Sequence, residues 1–287
     1  MAPSPPTFSE ELATATRLAK QAAAEILRVR QRARSSAHEK ADDQGPVTEA
    51  DLAADAMIAA GLRAAFPKDR IVTEETWKVA EAIGSAGRIW FVDPLDGTQD
   101  FIAGTADYAV MIGLVVDGKA VVGVVSQPET GITWRAVNQE PSLCERVEPD
   151  GTQVPLSVAG AKVSEKGPRA TISRSHPSRM VTFLAEHLGI STVVKGSVGL
   201  KIALIIDGGA EMYLSASTRI KVWDTAAPQA LIEAAGGELE GLRGEEIRYD
   251  GAAAHASGVR AWTPAAKNAI AERIPTALEA WTAQKSG

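Results

Sequence analysis

The sequence predicts an α/β layered fold, on three observations. Residues 8 to 65 carry two long helical patterns. Residues 108 to 137 read as an antiparallel meander of β-branched and apolar strands. Beyond residue 168, strand and helix patterns alternate, as they do where helices cover sheets.

Taken in order, Thr7 and Glu10 form a capping box, and Leu12, Ala15, Leu18, Ala19, Ala22, Ile26 and Leu27 keep helical spacing. A first helix is therefore expected over residues 8 to 34. A polar loop follows to Pro46, and a second helix is expected from Thr48 to about Ala65, stopped before Pro67. Ile71 and Val72 make a short strand, with helix and loop over residues 77 to 87. The run Trp90-Phe91-Val92 is a buried strand, taken here as central and expected to end in a tight turn. Strands at 108–116, 120–127 and 132–137 are separated by Asp117-Gly118 and Pro128-Glu129-Thr130-Gly131, both hairpin signals. Residues 138 to 168 are turn-rich. A domain boundary placed there gives an α+β domain at 1–155, built on the antiparallel sheet, and an α/β domain at 156–287. In the second half we expect strands at 170–173, 192–194 and 211–214, and helices at 178–188, 197–207 and 223–235. Short strands and a single last helix from Pro264 to Trp281 complete the chain.

The chain has 287 residues, enough for one large or two ordinary domains, with 45% hydrophobic and 23% charged residues. A net charge of -6 argues against a partner such as a nucleic-acid polymer. One cysteine, Cys144, excludes an intramolecular disulfide framework and is read as structural. Residues 1 to 6 do not resemble a secretory signal, and no apolar run is long enough to cross a membrane, so a cytoplasmic location is expected.

The chemistry concentrates at Asp93-Pro94-Leu95-Asp96-Gly97-Thr98. Two carboxylates where a buried strand meets a loop are costly without a positive group between them. A hard divalent cation, which takes oxygen ligands, is the natural candidate. Gly97 permits close backbone approach, and Thr98 adds a hydroxyl. An EF-hand is excluded, because the alternate position is Leu95 and the twelfth is Gly104. An aspartyl-phosphate mechanism is excluded because the residue two before Asp96 is Pro94. Further acids lie at the ends of other expected elements: Asp51, Glu74-Glu75 and Asp224. Each has a local alternative. Asp51 fits a Thr48-x-x-Asp51 helix cap, Glu74-Glu75 fits a solvated turn, and Asp224 fits a favourable charge in a helix's first turn.

Together, Val47-Thr48-x-x-Asp51, Thr73-Glu74-Glu75, the Asp93 to Thr98 stretch with Phe101, and Trp223-Asp224-Thr225-Ala226-Ala227-Pro228 ending in Gly236-Gly237 resemble the inositol monophosphatase superfamily, over roughly residues 10 to 262. The resemblance implies a five-layer α/β/α/β/α sandwich of the inositol monophosphatase/fructose bisphosphatase type. It also implies lithium-sensitive phosphatase activity with two to three Mg2+ ions per site. By the same resemblance Glu74, Asp93 and the Leu95 carbonyl hold the first ion, and Asp93, Asp96 and Asp224 the second. A third leans on Glu74. Gly97 and Thr98 offer backbone N–H groups to the phosphate, and Thr98 paired with Asp51 positions the attacking water.

The second half, through Ser173-Arg174-Ser175-His176, Lys195-Gly196-Ser197-Val198-Gly199-Leu200-Lys201 and Tyr213-Leu214-Ser215, looks most like the 3'(2'),5'-bisphosphate nucleotidases. That implies a small-molecule partner, adenosine 3',5'-bisphosphate, contacted by Ser175, His176, Ser197 and Lys201, and a monomer or homodimer. His176 also reads as a plain loop histidine before Pro177, and Lys201 as a solvated helix residue. The chain departs from that group at Ser215, where some members carry an Arg for the remaining 5'-phosphate; Arg219 or Lys221 could replace it. Ser197-Val198-Gly199 also echoes the inositol monophosphatases, so inositol or sugar phosphates stay open as substrates. A catalytically silent metal- or nucleotide-binding protein is the rival of another class. It is disfavoured because no position of the acidic set, nor Thr98, is missing.

Overall fold

The computed structural model describes residues 7–36, 49–77, 87–255 and 257–286. Val47, Thr48 and the expected helix and loop at 78–86 lie outside the described residues.

Helices α1 (Ser9–Ser36) and α2 (Glu49–Ala65) come first, followed by strands β1 (Arg70–Thr73) and β2 (Arg88–Asp96) and the short helix α3 (Thr98–Ile102). Then come β3 (Ala109–Val116), β4 (Lys119–Ser126), β5 (Thr133–Val137), β6 (Leu143–Val147) and β7 (Gln153–Pro155). These seven strands form one sheet in sequence order, antiparallel except for the parallel β1–β2 pair. The strand taken as central, β2, therefore stands second from the edge. Along β2 the side chains alternate: Trp90 and Val92 pack under α1 and α2, while Ile89 and Phe91 enter the opposite core. Burial on both faces is why the run is continuously apolar. The β3–β4 hairpin turns through Asp117 (φ 48°) and Gly118 (φ 80°), as the Asp-Gly pair predicts.

The stretch read as turn-rich contains β6 and β7. Buried Cys144 lies on β6 opposite Ala136, and burial pushes its thiol up to about 12.

The second half contributes β8 (Arg169–Ser173), α4 (Arg179–Leu188), β9 (Ser191–Lys195), α5 (Val198–Ile206), β10 (Met212–Ser215), α6 (Val222–Ala234), β11 (Glu238–Gly241) and β12 (Val259–Trp262). The second sheet runs β11-β12-β10-β8-β9. The single last helix is corrected to two, α7 (Pro264–Ile270) and α8 (Ile274–Ser286), joined by a 3-10 turn at 271–273. Pro275 lacks the N–H that a continuous helix would use there.

Three cores stack these elements into five layers. The first lies between α1, α2 and the seven-stranded sheet; the second surrounds α5 and α6 between the sheets; the third lies between the five-stranded sheet and α4, α7 and α8. Helix α6 can lie close across the large sheet because Gly113 and Gly123 face each other on β3 and β4. A Cβ at Gly123 would stand 2.3 Å from the Ala227 carbonyl oxygen. This contact sets the position of the N-terminus of α6, which carries Asp224.

Candidate active site

Asp93 and Asp96, three apart on a regular strand, would face opposite sides of the sheet. The β2–β3 register shifts between them, and both carboxylates line one cleft. They thus sit inside a bulged strand rather than in the turn after it. The chain then turns at Gly97, whose φ of 98° suits glycine, and where a Cβ would lie 2.9 Å from the Asp107 carbonyl oxygen. Thr98 opens α3, so its backbone N–H and that of Gly97 have no intrahelical acceptor.

The cleft has a volume of about 300 Å³, and all twelve residues singled out from the sequence line it. Asp51 comes from the first turn of α2, Glu74 from just beyond β1, and Asp224 from the first turn of α6. Ser175 and His176 come from the turn after β8, and Ser197 and Lys201 from the start of α5. Asp224 does stand in the first turn of α6, as its local reading had it, and its Oδ2 also accepts from the Lys221 N–H at 2.8 Å. Whether Asp51 also closes a capping box with Thr48 falls outside the described residues.

Each carboxylate is oriented by its neighbours. Asp93 Oδ1 accepts from the Leu95 N–H at 3.0 Å. Asp96 Oδ2 accepts from the Ser197 hydroxyl at 2.5 Å and the Gly199 N–H at 3.0 Å. Ser197 caps α5, also accepting from the Leu200 N–H, and holds φ at 53°, a rare conformation for a residue with a side chain. The Thr98 hydroxyl lies 3.4 Å from Asp51 Oδ1 and 3.2 Å from the Leu95 carbonyl oxygen.

The site is under electrostatic stress. Burial, then repulsion from Glu74, Asp96 and Asp224, raises Asp93 well above the ordinary carboxylate range. Asp224 is raised likewise by burial and by Asp96. Burial also raises Asp96, against the opposing pull of Lys201 and Ser197. Glu74 stands at the mouth of the cleft, with an exposed flank, yet is pushed to about 7 by loss of solvent around its carboxylate and by Glu75 and Asp96. Asp93, Glu74 and Asp224 line the same cleft, close enough for the charges of Glu74 and Asp224 to act on Asp93. Carboxylates crowded in this way are relieved by a proton or a cation among them. Among the described residues no three acids already converge as a metal cage. The fit rests on donor chemistry: a set of oxygen donors lining one cleft, with an excess of negative charge, suits hard divalent cations.

Lys201 is not a solvated helix residue. It is buried, donates to the Ser197 carbonyl at 3.1 Å and lies 5.5 Å from the Tyr213 ring centre; burial lowers it to about 8. His176 is exposed, its Nδ1 3.1 Å from Ser175 Oγ, and its backbone N–H donates to Ser173 Oγ at 3.1 Å.

Sequence reasoning did not single out Ser173, Tyr213 or Ser217 as lining residues, nor Ser215 and Glu75 as more than neighbours of motifs. None has a local signature; position alone brings them in. A second cavity of about 430 Å³ adjoins the cleft and shares Ser173, Ser175, His176, Ser215, Ser217 and Arg219 with it. Among the described residues no helix is long and apolar enough to cross a membrane.

A family model, that of the inositol monophosphatase family, matches residues 8–285. The chain is 32% identical over 232 residues to the 3'(2'),5'-bisphosphate nucleotidase CysQ of Salmonella typhimurium, covering 81% of this chain and 91% of that one. It is 31% identical over 249 residues to the 3'-phosphoadenosine 5'-phosphate phosphatase of Mycobacterium leprae, covering 75% and 89%. Among solved structures, inositol monophosphate-bound SaIMPase-II superposes with a TM-score of 0.74 at 19% identity, over 96% of this chain and 97% of that one. Mycobacterium tuberculosis SuhB superposes at 0.69 and 23%, over 94% and 96%. These structures share the five-layer fold, and the sequence relationships place the chain as a phosphatase of the inositol monophosphatase family.

Proposed function

We propose that the chain is a magnesium-dependent phosphomonoesterase that removes the 3'-phosphate of adenosine 3',5'-bisphosphate. The observation that carries the chemistry is the gathering of Asp51, Glu74, Asp93, Asp96, Thr98 and Asp224, from separate parts of the chain, on one cleft. Family membership brings divalent-metal dependence. In this reading Glu74, Asp93 and the Leu95 carbonyl hold one ion, and Asp93, Asp96 and Asp224 hold a second. A third leans on Glu74.

When bound, such ions neutralise phosphate oxygens, activate a water and stabilise the leaving alkoxide. The protein's own part is orientation. Donors to Asp93 Oδ1, Asp96 Oδ2 and Asp224 Oδ2 orient the three carboxylates, and each keeps lone pairs that would hold cations. Thr98 gives its proton to Asp51 and presents a lone pair that orients the attacking water and draws on its proton. The N–H groups of Gly97 and Thr98 face the phosphate. Buried Lys201 offsets part of the negative charge behind Asp96.

Substrate choice follows from the relatives named as 3'(2'),5'-bisphosphate nucleotidases. It is supported by the adjoining 430 Å³ cavity, which gives room for a body larger than one ring. Ser175 and His176 contact the nucleotide there, with Ser197 beside the scissile group. Arg219, exposed on the wall shared by both cavities, meets the remaining phosphate in place of an Arg at Ser215.

Phosphate release with magnesium is to be measured on adenosine 3',5'-bisphosphate, adenosine 2',5'-bisphosphate, inositol 1-phosphate and fructose 1,6-bisphosphate. A strong preference for the 3'-phosphonucleotide is expected. A preference for the inositol or fructose ester overturns the substrate reading and leaves the metal chemistry standing.

A further inference from the structure

Behind the cleft, one buried carboxylate joins the two halves of the chain. Asp107 Oδ1 receives Lys195 Nζ at 2.6 Å; its Oδ2 receives Arg174 Nη2 at 2.6 Å and the Gly196 N–H at 3.3 Å. Arg174 also reaches buried Asp100, on α3, at 3.2 Å. None of these four charged residues lines the cleft.

What they hold does line it. Arg174 immediately precedes Ser175 and His176. Lys195 and Gly196 immediately precede Ser197, whose hydroxyl is bonded to Asp96. On the other side, Asp107 belongs to the loop that follows α3 and therefore shares a rigid segment with Gly97 and Thr98. That loop is anchored from below: Arg30 donates to the Thr105 carbonyl at 3.3 Å and Gln127 to the Ala106 carbonyl at 2.8 Å. The contact across the halves is tight. A Cβ on Gly196 would lie 2.4 Å from both Asp100 Oδ2 and the Asp107 carbonyl oxygen.

We infer that Asp107 is a positioning residue for substrate specificity. It clamps the Ser175–His176 turn and the Ser197 corner, both from the second half, at a fixed distance from the phosphate-binding turn of the first. Charge-assisted hydrogen bonds to two cations are strong and directional enough for this. The carboxylates of Asp107 and Asp100 are buried, which limits screening at that end of each pair, while Arg174 is exposed and Lys195 half-buried. The inference rests on the substrate reading above, because it supposes that these segments grip a body beyond the reacting phosphate.

The test compares Asp107→Asn with the unchanged full-length chain on adenosine 3',5'-bisphosphate and on p-nitrophenyl phosphate, a small ester that needs little beyond the metal cleft. Loss of the clamp is expected to raise KM for the bisphosphate about tenfold, in line with the sensitivity of bound geometry to small displacements. With p-nitrophenyl phosphate kcat/KM stays within about twofold, because the Ser197 side chain keeps its own bonds to Asp96 and the Leu200 N–H. Asp107→Glu, which keeps the charge, restores part of the loss. Adding Lys195→Met to Asp107→Asn brings less than the sum of the single effects.

Parallel losses on both esters, or no change on either, overturn the inference. If the unchanged chain does not hydrolyse the bisphosphate, the substrate reading fails separately. The same comparison is then made between p-nitrophenyl phosphate and the panel ester turned over best, and the split in KM still decides the role of Asp107.

Discussion

On one wall of the cleft, Asp51, Asp93, Asp96 and Asp224 stand on helices and a bulged strand, with carboxylates fixed by backbone N–H groups or a hydroxyl. On the other, Ser175, His176, Ser217 and Arg219 stand in turns, and His176 and Arg219 are exposed. The first wall accepts crowding of like charges, which folding alone would disfavour, and needs rigid elements to hold it. The second presents exposed turn residues whose side chains can vary with less disturbance of the first. Reaction chemistry and substrate choice are therefore separable here, and substitutions should divide accordingly.

The largest effect is expected on the rigid wall. Asp224→Ala removes a proposed metal ligand and the cap of α6 together. Activity should fall at least a thousandfold on every ester, while metal-free stability should change little, because relief of the crowding with Asp96 and Glu74 offsets the lost bond from the Lys221 N–H. Thermal melting with phosphate-release kinetics checks both. Activity near that of the unchanged chain would break the comparison.

Next is Thr98→Ala. It should lower kcat about a hundredfold on all esters while leaving the magnesium dependence in place, because Thr98 handles the proton rather than the ion. A magnesium titration of kcat separates the two.

A smaller, selective effect is expected on the turn wall. Arg219→Ala should raise KM for the bisphosphate up to about tenfold and leave p-nitrophenyl phosphate unchanged. Equal losses on both esters would erase the distinction between the walls.

The smallest effect is on stability and depends on pH. Glu74, pushed to about 7 from 4.5, keeps its proton longer in the folded chain than in the unfolded one. Without metal, stability therefore falls as pH rises from about 4.5 through 7. A bound cation replaces that proton and relieves the repulsion. Millimolar magnesium should raise Tm more at about pH 8 than at about pH 5.5. The reverse order would contradict the assignment of Glu74.

The acids were legible because residue type and local spacing carry them: Asp93 and Asp96 flank a proline after an apolar run, and Asp224 opens a helix ending in Gly236-Gly237. The bulge that turns both Asp93 and Asp96 into the cleft was not legible, because it depends on pairing with β3. Strand β6 was missed for a similar reason. Its Glu145 is buried and reads as a loop residue until Arg135, opposite on β5, pairs with it at 2.6 Å. The break between α7 and α8 was legible in principle from Pro275, although apolar periodicity continues through it and favours one helix. Asp107 had no signature at all: it is an ordinary loop aspartate whose partners lie 67 and 88 residues away, at Arg174 and Lys195.

The central claim is that metal ions held by this carboxylate wall drive phosphate release. It is tested most directly by a magnesium titration of phosphate release from adenosine 3',5'-bisphosphate, comparing the unchanged chain with Asp93→Asn. The unchanged chain should show saturable dependence on magnesium. The variant, lacking one charge from the carboxylate proposed to bridge two ions, should lose turnover at least a thousandfold and bind magnesium more weakly. Undiminished turnover in Asp93→Asn, or release from the unchanged chain in excess chelator, would contradict the account.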